Sequence, residues 1–184
     1  FDGSDDYVGV TMGQTYVTRT ASIWFNATAY PITNNPFFGD GTSIQYWQGF
    51  TARIYGPALH YYDTNGTTLL TWSGLTAWHH AVLVVVAGSQ MELFVDGVSR
   101  GTTATITTQA TSITFGARNS RDTFFTGKID EVRISNVARS AGWIATEYNN
   151  QNSPSTFYSV AAEEQNPLPI QLASFSAYVI RESD

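Results

Sequence analysis

The chain has 184 residues, 42% of them hydrophobic and 13% charged, which suits one globular domain with a substantial core and excludes a disordered segment. A net charge of -6, with nine scattered Lys and Arg, excludes the basic patch through which proteins hold nucleic-acid phosphates. The absence of cysteine excludes a disulfide framework, a cysteine-ligated zinc cluster and a thiol nucleophile, and no apolar run approaches the roughly 18 residues of a membrane helix.

In chain order, strands are predicted over residues 7–10, 21–26, 43–54, 58–63, 68–72, 81–86, 91–95, 103–108, 112–115 and 127–134. Turn chemistry at Asn34-Asn35-Pro36, Asn65-Gly66, Asp96-Gly97 and Asn119-Ser120 separates several of them. The sharpest signal is WHHAVLVVVAGSQMELFVDGVSRG at 78–101. An unbroken apolar strand, an Ala-Gly-Ser turn, a second strand and the Asp96-Gly97 turn make a β-hairpin. Many short strands with such turns imply an all-β fold, a two-sheet antiparallel β-sandwich.

One segment reads as helical. Ser140 is a capping residue, and Trp143, Ile144, Glu147 and Tyr148 fall on one side of a short helix over 140–149, with Glu147 expected at the edge of the stripe. Beyond Asn149 the chain turns polar and rich in Asn, Ser and Pro. The domain is expected to span 1–160, followed by a linker at 161–169 and, at 170–184, an extra C-terminal strand or the start of a truncated following domain.

The hairpin, FDGSDDYV at 1–8, ASIWF at 21–25 and FFTGKIDEVRISNVARS at 124–140 together resemble a laminin-G-like, concanavalin A-like jelly-roll domain, in order and spacing, over most of residues 1–150. The resemblance implies a concanavalin A-like jelly roll with Trp24, Trp78 and Phe94 at core positions. Fold does not settle function, because such domains serve as lectins, adhesins, enzyme-appended modules and spacers. The tail adds a second likeness. EYNNQNSPSTFYSV at 147–160 is similar to the end of such modules in large bacterial surface proteins, and LPIQLASFSA at 168–177 resembles the first strand of a following domain in Bacteroidetes proteins exported by the type IX route. These imply a fragment of an extracellular, cell-surface, multidomain bacterial protein.

Catalysis finds little support in the residues. A retaining glycosidase needs two carboxylates about 5 Å apart, and the Glu-x-Asp-x-x-Glu signature that presents them in this fold is absent. Asp130 and Glu131 are adjacent and so are expected on opposite faces of a strand. No Gly-x-Ser-x-Gly elbow surrounds a serine, and His79-His80 reads as the packed start of a strand. The expectation is a protein that is not an enzyme.

Two kinds of site remain. By resemblance, a structural calcium ion joins early and late residues of the domain, which points to Asp2, the Gly3 carbonyl and Asp130; the alternative is that Asp2 makes turn hydrogen bonds and Asp130 pairs with Lys128 or Arg133. The second is aromatic. Five Trp and ten Tyr exceed what a core alone asks for, and aromatic faces stack on the apolar faces of sugars. Tyr46, Tyr61 and Trp72 on middle strands are the expected platform, with Arg53 and Gln48 as directional partners.

The function expected is carbohydrate binding or cell adhesion toward a glycan or other cell-surface ligand, with no nucleic acid and no membrane insertion. The first alternative is a spacer or a self-assembling surface or filament subunit, in which the C-terminal strand drives self-association. A glycan-active enzyme comes last.

Overall fold

The computed structural model describes residues 1–28, 35–41, 51–55, 58–62, 68–75, 77–104, 110–118 and 121–162. Among these residues eleven strands run in chain order: β1 Val8–Tyr16, β2 Arg19–Ala27, β3 Asn35–Gly41, β4 Thr51–Tyr55, β5 Ala58–Tyr62, β6 Thr68–Ser73, β7 His79–Val86, β8 Gln90–Val95, β9 Val98–Ala104, β10 Ala110–Phe115 and β11 Gly127–Ser135. Two helices follow, α1 Ala141–Asn152 and α2 Pro154–Phe157. The strands form a six-stranded sheet, β1-β10-β3-β4-β5-β6, facing a five-stranded one, β11-β2-β7-β8-β9. Every pairing between named strands is antiparallel. This is the two-sheet sandwich expected from the sequence.

Period-two alternation divides the five-stranded sheet into two faces. Ala21, Ile23, Phe25 and Ala27 of β2, with Ala81, Leu83 and Val85 of β7 and Met91, Leu93 and Val95 of β8, face the other sheet. There they meet Phe37, Leu59, Leu70, Ile113 and Phe115. Phe25 stacks on Phe37 with ring centroids 4.4 Å apart. The intervening residues Val82, Val84 and Phe94 form a second cluster with Ile144 of α1. Because α1 covers the outer face, β7 is buried on both sides, which is why Val82–Val86 reads as an unbroken apolar run rather than an alternating one.

The Asp96-Gly97 turn joins β8 to β9 with φ of 55° and 74°, the left-handed pair that a two-residue hairpin requires. It feeds β9 at once, so this strand begins at Val98 rather than near 103. Residue 35, placed in a turn by its Asn-Asn-Pro context, instead opens β3. Pro36 is accommodated because the register between β3 and β4 shifts between Pro36 and Phe38, and a bulge tolerates a residue without an N–H.

The sandwich closes unevenly. On one side β6 and β9 touch, Leu70 lying 3.4 Å from where a side chain on Gly101 would start. On the other, the edge strands β1 and β11 leave a groove of about 490 Å³, lined in part by Val10, Met12, Ile113 and Ile134.

Replacing Phe25, fully buried between the sheets, with Ala is expected to destabilise the domain by about 3–5 kcal/mol. The check is a fall in urea midpoint at unchanged slope.

Candidate functional site

α1 is placed by its cap and by one buried carboxylate. Ser140 Oγ accepts the Trp143 N–H at 3.3 Å, starting the helix where the sequence indicates. Glu147 is 8% exposed and sits in the middle of the buried face rather than at its edge. Its Oε1 accepts hydrogen bonds from Arg133 Nη1 of β11 at 2.7 Å and from Ser22 Oγ of β2 at 3.2 Å. A carboxylate can occupy that place only because it is paired there.

His80 lies beneath the same turn of helix. It is fully buried, stacked against Trp24 at 5.2 Å, and its Nε2 is 3.7 Å from Glu147 Oε2, beyond hydrogen-bond reach. Among the described residues neither ring nitrogen finds a hydrogen-bond partner. Burial pushes His80 down to about 4; the Asp96 carboxylate works against this and the Arg133 guanidinium with it. The ring is therefore neutral at pH 7. Its neighbour His79 turns to the opposite face, with Nδ1 2.8 Å from Asp96 Oδ2 and the ring edge-on to Trp72 at 5.0 Å. Asp96 also accepts the His80 N–H at 3.0 Å. Although burial raises the Asp96 carboxyl, these hydrogen bonds outweigh it and hold the group below its ordinary value.

Beside this interface lies an open cleft of about 430 Å³. It is lined by Trp24 and Trp78, by Asp130 and Glu131, and by Asn150, Gln151 and Asn152 at the end of α1, with Pro154 opening α2. The Trp24 indole N–H donates to Gln151 Oε1, and the Trp24 ring stacks on Tyr148 at 5.8 Å. Phe94 is buried as expected of a core position, but Trp78 is 40% exposed and belongs to the cleft wall.

Asp130 and Glu131 share this cleft, contrary to the alternation expected of adjacent strand residues. β11 bulges against β2 between Asp130 and Arg133, and Glu131 adopts φ 49°. Such a bulge re-aims a side chain that regular pleating would send to the other face. Asp130 Oδ1 accepts the Glu131 N–H at 2.8 Å, and Glu131 pairs with Arg133. Sequence reasoning missed the cleft because it pairs a loop residue, a bulge and a helix end; the excess of amides in 149–152 was its one visible trace.

The other expected site residues are dispersed. Tyr46 and Gln48 lie outside the described residues. Arg53 stands on β4 opposite His60, and Tyr61 on β5 opposite Leu70. Trp72 on β6 is half-buried, packs on the core and carries the Arg100 guanidinium 5.3 Å from its ring centre. At the other end, Asp2 Oδ1 accepts the Ser4 N–H at 2.8 Å, Gly3 has φ 88°, and Asp2 bridges to Thr126 just before β11. Among the described residues no three His, Asp or Glu side chains gather as a metal site would require.

A sandwich of this topology, with a helix laid over the five-stranded sheet, can be compared with known families. The model of the concanavalin A-like lectin/glucanases superfamily, in its laminin G type, matches residues 2–145. The chain belongs to this family. Comparison with curated proteins finds no match. Among solved structures, the binding domain of botulinum neurotoxin serotype D superposes with a TM-score of 0.64 at 15% identity, covering 82% of this chain and 41% of that one. A receptor-binding domain of botulinum neurotoxin D gives the same TM-score at 14% identity, over 82% of this chain and 43% of that one. A heptameric SAP-like pentraxin from Limulus polyphemus superposes with a TM-score of 0.57 at 11% identity, over 78% and 82% of the two chains. The chain thus spans about two fifths of the toxin domains, and at these identities the likeness is one of fold.

The electrostatics predict a two-stage loss of stability in acid. Between pH 6.5 and 4 the unfolded chain protonates His80 and the folded one does not, so stability falls as pH drops through that window, by up to about 3 kcal/mol. Asp96, lowered in the fold, adds a further loss below pH 3.8. Thermal melts of His80→Phe should be flatter than wild type between pH 6.5 and 4 and should keep the steeper loss below.

Proposed function

We infer that this domain is a non-catalytic, extracellular module of a larger bacterial surface protein, and that it binds carbohydrate or a glycosylated cell-surface ligand. The observation that supports this best is the Trp78 cleft. An exposed indole offers a stacking face for a sugar ring, and the amides of Asn150, Gln151 and Asn152 offer donors and acceptors for hydroxyls. Gln151 is oriented for this: its Oε1 is taken by the Trp24 indole, which leaves its NH2 to donate. The sugar is assigned here rather than to the Trp72 face because the Trp72 ring is covered by His79 and Arg100. Membership of a superfamily of lectins and glucanases and the fold of toxin binding domains support a binding role. No helix of the described residues is long and apolar enough to cross a membrane.

The alternative of an assembly subunit draws on the rim between β1 and β11. There β1 and β11 are both edge strands among the described residues, and Val8 and Val10 are 53% and 44% exposed beside the groove between them. Unpaired edges are templates for an added strand. In this reading residues 170–184 of another copy supply it, and truncation after Pro167 converts oligomers to monomers in sedimentation.

On a broad glycan array the domain is expected to bind a defined subset of sugars. Trp78→Ala should weaken that binding at least about tenfold with no change in melting temperature, because the ring is surface rather than core. The same pattern is expected with calcium and with chelator. Loss under chelator would instead make the recognition calcium-dependent, and silence throughout would favour the assembly role.

A further inference from the structure

The charge of the cleft narrows its ligand. Asp130 and Glu131 both line it. Arg133 pairs with Glu131, but the same guanidinium is shared with Glu147 beneath α1. One cation thus answers two carboxylates, and Asp130 forms no ion pair among the described residues. The last turn of α1, which delivers Asn150, Gln151 and Asn152, carries no basic residue, so the negative end of the helix dipole terminates at the same space. Trp78 adds an exposed aromatic face, which attracts cations as well as sugar rings. An anionic glycan would meet these groups with repulsion, in a chain whose net charge is already -6.

We propose that the Trp78 cleft selects amino sugars with a free, protonated amine, as in deacetylated hexosamine polymers, over acetylated and acidic glycans. This rests on the reading that the cleft binds sugar, and deepens it. The ring stacks on Trp78, the ammonium group lies toward Asp130, and the hydroxyls meet the amides at the end of α1. A charge-assisted contact of that kind is stronger than the neutral one an acetamide makes in its place.

Calorimetric titration at pH 6, where the amine is protonated, tests this with hexamers of glucosamine, N-acetylglucosamine and galacturonate. The glucosamine hexamer should bind at least about tenfold more tightly than the acetylated one and lose affinity with added salt, and the galacturonate hexamer should not bind. Asp130→Asn keeps the oxygen that accepts the Glu131 N–H and should bring the two hexosamines within about threefold of each other. Equal affinity of wild type for the two hexosamines would overturn the amine preference and leave sugar binding standing. An undiminished preference in Asp130→Asn would overturn the role of that carboxylate. A lysine hexapeptide binding as tightly as glucosamine would overturn the sugar class, and no binding to any hexamer would overturn the reading beneath it.

Discussion

Glu147 is a carboxylate withdrawn from water, and everything laid over the outer face of the five-stranded sheet depends on its being paired. The pairing ties three elements at one point: Ser22 on β2, Arg133 on β11 and the helix itself. A buried charge without partners would cost several kcal/mol, so the helix has one acceptable seat. That seat sets which side chains the next turn presents. Asn150, Gln151 and Asn152 reach the cleft because Glu147, one turn earlier, is fixed.

The same constraint explains the character of the sheet below. With α1 in place, β7 has no solvated face, so its outward positions are filled by Val82, Val84 and a neutral histidine rather than by charge. His80 is tolerated without hydrogen bonds because it stays uncharged and stacks with Trp24 and Tyr148. Two adjacent histidines therefore have different roles. One fills an aromatic stack under the helix, and the other joins the Asp96 turn to the beginning of β7.

Much of the fold was legible in the residues because its signals are local. The Asp96-Gly97 turn, the apolar run of β7 and the Ser140 cap each depend on a few neighbours, and each stands where the sequence indicates. Glu147 was misplaced to the edge of the helix because its partner Arg133 lies on another element, and periodicity scores a carboxylate as exposed. The cleft was obscured for a similar reason. A bulge at Asp130-Glu131 breaks the rule by which adjacent strand residues diverge, and bulges have no reliable signature in one sequence. Trp78 matched a family core position, yet it precedes the strand and meets solvent. The middle-strand aromatics could not be apportioned between core and surface without register, and register pairs Trp72 with the buried Leu59.

The uneven closure of the sandwich sets the sequence in which its amides become accessible. β7 has neighbours on both edges and a layer on both faces, so releasing its N–H groups requires the whole domain to open. Among the described residues β1 has no partner on one edge, and it faces the groove. Hydrogen exchange with deuterated water should therefore spread inward from the β1 and β11 rim, with β7 the last strand to exchange.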